Sequence, residues 1–158
     1  MGEHANKNDR NCLPLLDMQR SNLKLVTHPE TFEQNMSGSA VGVVFFESGD
    51  SKFPADSWYD FPLSIFTWWL AALDQENEVA QLVFKDGPYL VELSSSGLNW
   101  VFQGIRRGEN KLPVFEAVIE KSVLKAQIKA AAFAWIDTLT VQSKHPEGIE
   151  ELRIALRK

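Results

Sequence analysis

Between Phe61 and Leu73 the chain reads FPLSIFTWWLAAL, a run with no charged residue and with apolar side chains on nearly every side of a helical projection. A helix that is hydrophobic all round has no face to give to water, so the rest of the fold must cover it from several directions. The run is shorter than the ~17 to 25 apolar residues that a bilayer span requires, which makes it a buried helix and not a membrane anchor. Pro62 suits the first turn, where a missing N–H does no harm, and Asp60 is read as the N-cap, so the helix is expected over Phe61 to Asp74. Trp68 and Trp69 stand side by side in it, and with Trp58, Trp100 and Trp135 they are read as core, each large aromatic burying ~150 to 250 Å².

Covering layers are expected on both sides of this segment. LKLVT (Leu23 to Thr27) and SAVGVVFFES (Ser39 to Ser48) are β-branched and aromatic runs that read as strands, with HPETFEQNMSG as their connection. Gly42 within the second run points to a bulge or a close backbone approach. GDSKFPAD is read as a loop leading to the helix. After it, Val79 to Phe84, Tyr89 to Leu93 and Leu98 to Gln103 alternate in the manner of strands, separated by the turn signals KDGP and SSSG, so an antiparallel meander is expected. Pro113 is taken to open a long helix ending near Val141, with Glu116 and Glu120 near its positive end. A short amphipathic helix from about Ile149 to Arg157 follows, acidic at its start (Glu150, Glu151) and basic at its end (Arg153, Arg157, Lys158). The expected fold is α+β: an antiparallel sheet of about five strands packed against the buried aromatic helix and the long C-terminal helix. Residues 1–20 lack periodic patterning and are read as an arm, and residues 21–158 as one domain. A content of 44% hydrophobic residues is enough for its core.

Several kinds of chemistry have no support in the pattern. His4, His28 and His145 fall in no metal-ligand spacing, and one cysteine, Cys12, allows neither a disulfide framework nor a multi-cysteine zinc site, so no metal and no cofactor are expected. There is no G-x-S-x-G elbow, and FQGIRRGENK does not spell a phosphate loop. Lys121, Lys125 and Lys129 form a helical ridge that reads as a solvated face. A net charge of −5 disfavours nucleic acid and anionic membranes as partners and suits a basic protein. The first residues show neither a secretory apolar segment nor, with Asn6 at the required Ser/Thr position, a myristoylation pattern, so the expected address is cytoplasmic. The carboxylates Asp50 and Asp56 before the aromatic helix, Asp74, Glu76 and Glu78 after it, and Asp86 at the hairpin tip lie in loops, where charge can meet a partner without disturbing the core. They are the candidate partner-binding residues.

Trp58-x-Asp60-Phe61, then Trp68-Trp69-Leu70, then Phe84-x-Asp86-Gly87-Pro88-Tyr89 resembles an order found in small bacterial proteins, among them immunity proteins of contact-dependent and polymorphic toxin systems. The resemblance spans Trp58 to Trp100, under a third of the chain, and its motif residues belong to a helix and a turn. It implies a non-catalytic inhibitor of a cognate toxin domain and assigns no functional residue. A small-ligand binder or enzyme, using a pocket between the aromatic helix and the sheet, stands as the alternative.

Overall fold

The computed structural model describes residues 22–108 and 110–158. The arm expected over residues 1–20, with His4, Asn6 and Cys12, lies outside them. In chain order the elements are β1 (Lys24–Gln34), β2 (Ala40–Ser48), β3 (Ser51–Phe53), β4 (Tyr59–Asp60), α1 (Pro62–Leu73), β5 (Val79–Val83), β6 (Tyr89–Ser96), β7 (Asn99–Arg106), β8 (Leu112–Glu120), α2 (Lys121–Val141) and α3 (Ile149–Leu156). The class is α+β.

Instead of one sheet of about five strands, the described residues form two antiparallel sheets of four. In the first, β2 pairs with β1 on one side, and on the other with β3 (Phe46 opposite Phe53) and β4 (Gly42 opposite Asp60). Part of the GDSKFPAD segment read as a loop is therefore strand, recruited because β2 has a free edge whose backbone groups need partners. The second sheet is the expected meander β5-β6-β7 with β8 added at its edge.

That added strand corrects the reading of the long helix. Helix α2 begins at Lys121, and Pro113 to Glu120 is extended, ending at Glu120 with φ −62° and ψ 139°. Val114 and Val118 are spaced for a helix, but Phe115, Ala117 and Ile119 are equally spaced for the buried face of a strand, and all three are buried. Pairing from Asn99–Glu120 to Arg106–Leu112 along β7 decides the matter, a tertiary preference that local propensity does not reveal. Similarly, β1 runs on through His28 and Pro29 to Gln34, with a register shift between His28 and Glu33. Proline is tolerated there because β1 is an edge strand.

The sheets meet through aromatic rings. Phe46 of β2 lies 4.8 Å from Phe102 of β7, and Phe53 of β3 lies 5.8 Å from Phe115 of β8 and 5.7 Å from Tyr89 of β6. Gly104 of β7 permits this approach: a Cβ there would fall 2.7 Å from the Phe53 ring. Helix α1 inserts Trp69 between the sheets, stacked on Phe46 at 5.5 Å and edge-on to Phe84 at 5.2 Å, and its Nε1 donates to the Val83 carbonyl at 2.9 Å. The interior beside the Trp69 turn of α1 is thus filled by aromatic side chains. Helix α2 crosses the outside of β1 and seats Trp135 on Gly42, where any Cβ would collide with the indole, as the glycine's position in a strand suggested. Trp135 Nε1 donates to Thr27 Oγ1 at 2.7 Å, and Thr27 Oγ1 donates to the Val43 carbonyl at 2.6 Å, so the buried indole is satisfied.

Trp69, Trp100 and Trp135 are core as expected and Trp58 is partly buried, but Trp68 is 45% exposed. Successive helical residues point ~100° apart, so two adjacent tryptophans cannot both face one core. No helix among the described residues is long and apolar enough to cross a membrane.

Candidate functional site

Asp60 is the buried charged residue among those described, 1% exposed, and it does not cap α1: Phe61 occupies the N-cap position, with no side-chain cap bond. Its carboxylate instead collects N–H donors from three segments. Oδ1 accepts from the backbone N–H of Phe61 at 2.8 Å and of Lys85 at 3.1 Å, while Oδ2 accepts from Trp58 Nε1 at 3.0 Å and the Asp86 N–H at 3.2 Å. Burial pushes this carboxyl above its ordinary value of 3.8, with the four donors pulling the other way. The group ties the β3–β4 connection and the start of α1 to the β5–β6 turn. Trp58 closes over the same joint, its ring 5.2 Å from Tyr89. Both oxygens being taken up by the fold, Asp60 is a structural latch and is not free to work on a substrate.

The six carboxylates picked out in the sequence fall into three places. Asp74, Glu76 and Glu78 gather at the C-terminal end of α1. The Asp74 N–H closes the helix on the Leu70 carbonyl at 3.0 Å, and the Glu78 carbonyl accepts from Ser95 N–H at 2.7 Å, so the short loop between them is held at both ends. Asp56 and Asp86 lie near the N-terminal end of α1, roughly 18 Å away at 1.5 Å per residue over its 12 residues. Asp50 sits apart in the β2–β3 turn. All six are exposed.

The Asp74 end forms one wall of an open cleft of about 400 Å³, with Leu73, Gln75, Glu76, Asn77 and Glu78 facing Trp100, Lys121, Ser122 and Lys125. Its charge is mixed. Lys125 Nζ pairs with Asp74 at 2.8 Å across the cleft, and Lys121 Nζ lies 4.6 Å from the centre of the Trp100 ring. Two members of the lysine ridge are thereby engaged with neighbours rather than merely solvated. Glu76 and Glu78 make no ion pair among the described residues.

Two further grooves flank α1, and the second of them falls where the alternative reading put a pocket, between the aromatic helix and the sheet. Trp68, Ser64 and Thr67 of α1 face Glu147 and Glu151 across a groove of about 410 Å³. The adjacency of Trp68 and Trp69 was the available signal, since one of the two had to face outward. The other groove, of about 480 Å³, runs between Ala71 and Ala72 of α1 and Val79, Ala80 and Gln81 of β5. Only the tertiary placement of α1 beside β5 creates it. Among the described residues no group of three or more His, Cys, Asp or Glu side chains is placed to hold a metal ion. His28 is exposed, its Nδ1 3.3 Å from Glu30 Oε1. Comparison with family models, with curated proteins and with solved structures finds no match for the chain.

Proposed function

We propose that this chain is a non-catalytic, cytoplasmic inhibitor that binds a basic protein, in the manner of an immunity protein neutralising a cognate bacterial toxin domain. The observation that carries this reading is the Asp74, Glu76 and Glu78 cluster: three exposed carboxylates held at the end of a buried helix, two of them with no ion pair among the described residues. Acidic groups fixed on a well-packed support attract a basic partner over distance and raise its association rate. Asp56 and Asp86, at the other end of α1, and Asp50 extend the acidic field without sharing that cleft.

Co-expression with the product of the neighbouring gene tests the reading directly: the inhibitor is expected to co-purify with it and to protect cells from it. Reversing Asp74, Glu76 and Glu78 together to lysine is expected to slow association at low salt by about tenfold or more and to flatten its dependence on ionic strength. An unchanged association rate removes this surface from the reading. Failure to bind or protect against any neighbouring toxin removes the immunity function itself.

A further inference from the structure

Among the described residues, the unpaired edge of β5 is the least guarded, covered by α1 only at its Val83 end. Strand edges are templates for pairing with another chain, and proteins blunt them with charge, proline, bulges, short length or a covering group. On β1 the Gln127 side chain of α2 stands in for a partner strand, accepting from Leu25 N–H at 2.8 Å and donating to the Leu23 carbonyl at 3.0 Å. Strands β3 and β4 have three and two residues. Strand β8 carries Pro113, Glu116 and Glu120. Strand β5, VAQLV, has no charge, no proline and no bulge.

Its hydrogen-bonding sides are set by the pairing with β6. Phe84 N–H donates to the Tyr89 carbonyl and Ser95 N–H to the Glu78 carbonyl, with Ala80 opposite Leu93 and Leu82 opposite Val91. Even-numbered residues therefore bond to β6, and Val79, Gln81 and Val83 turn their backbone groups outward. The bond from Trp69 Nε1 to the Val83 carbonyl marks that outer side as the one facing α1. At the Val79 and Gln81 end the helix presents only Ala71 and Ala72, which leaves the groove of about 480 Å³ open above the edge.

We infer that the groove between α1 and β5 is a strand-addition site, taking an extended basic segment of the partner protein as a fifth strand of the second sheet. Backbone groups of Val79 and Gln81 supply the ladder, and the alanines leave room for every second side chain of the guest. The guest is basic because Gln75 and Asn77 join the groove directly to the cleft of Glu76 and Glu78, which make no ion pair among the described residues, whereas Glu92 in the groove itself is paired with Lys111 at 3.2 Å. A second copy of this chain is a poorer occupant: its β5 lies in the same kind of groove beneath its own α1, and two such grooves cannot interdigitate. This inference rests on the protein-binding reading above and specifies the geometry of contact.

The test uses amide hydrogen exchange, resolved by NMR, on the full chain. A blocked hexapeptide alternating lysine and valine, added at millimolar concentration, is expected to slow exchange at Val79 and Gln81 by at least about tenfold, and one alternating glutamate and valine to leave it unchanged. Gln81→Pro removes an outward N–H that β6 does not use, and Ala71→Lys fills the groove with a like charge on an exposed helical position. Each is expected to abolish the protection. Unchanged exchange at saturating lysine–valine peptide, protection at another strand, equal protection by the glutamate peptide, or persistence in both variants overturns the site. A dimer detected by sedimentation and dispersed by Gln81→Pro overturns it in favour of a second copy. Because the peptide assay needs no toxin, a protected edge without toxin inhibition refutes the immunity reading alone, and toxin inhibition with an unprotected edge refutes the strand-addition site alone.

Discussion

Replacing Asp60 with alanine removes one acceptor group from four donors at once. A donor left unsatisfied out of reach of water costs about 1 to 3 kcal/mol. Lys85 and Asp86 are exposed residues of a turn, so their N–H groups rehydrate when the carboxylate is gone. Trp58 Nε1 and Phe61 N–H sit in partly buried surroundings, and two such losses sum to about 2 to 6 kcal/mol. Relief of the desolvation that raises the carboxyl's pKa offsets some of this, so the expected loss is about 2 to 4 kcal/mol. Urea unfolding followed by far-UV circular dichroism measures it, with an unchanged m-value marking the same transition. The pH dependence carries a sign. A folded carboxyl raised above its unfolded value means that the native state binds the proton more tightly, so the contribution of Asp60 to stability is greatest below about 3.8 and declines as pH rises through the folded value. Relative to Asp60→Asn, which does not titrate, the wild-type chain should lose stability across that window and run parallel above it. A loss under about 1 kcal/mol for Asp60→Ala, the size of an ordinary surface substitution, would falsify the latch.

Trp69→Ala is expected to cost about 3 to 5 kcal/mol by chemical denaturation, since the indole is fully buried against Phe46, Phe66 and Phe84; a cost under about 1 kcal/mol places it outside the core. Gly104→Ala should lower stability by about 1 to 3 kcal/mol because the new methyl meets the Phe53 ring, and Phe53→Leu in the same background should recover part of the loss, a rescue whose absence contradicts steric conflict. Trp68→Ala, at a half-exposed position on the same helix, should cost about 1 to 2 kcal/mol, clearly less than Trp69→Ala, and a loss as large as that of Trp69→Ala contradicts the assigned orientation of α1.

Local chemistry marked α1 well. Its uncharged run and Pro62 identify a buried helix within a residue of its observed start, and the alternation on either side of KDGP locates the β5–β6 hairpin. The carboxylates were found as loop residues, but their grouping into a cleft, a latch region and an isolated turn was not legible, because distance along the chain does not report distance across a helix. Asp60 is the clearest case. Beside Pro62 it reads as a cap, and its role as an acceptor for Lys85 and Asp86 depends on a hairpin tip some twenty-five residues on.

What the sequence alone determined about this protein is what neighbours within a turn or a hairpin decide: an apolar helix that must be buried, strands that alternate, turns where proline and glycine stand. What only the tertiary structure decided is which edges pair. Leu112 to Glu120 suits a helix or a strand by local preference, and it is a strand because β7 offers a ladder of hydrogen bonds. Ser51 to Phe53 and Tyr59 to Asp60 are strand because β2 had a free side. Backbone groups must be satisfied by whatever lies beside them in space. For the same reason the edge of β5, proposed above as a strand-addition site, became visible only once the pairing of the other described strands was known.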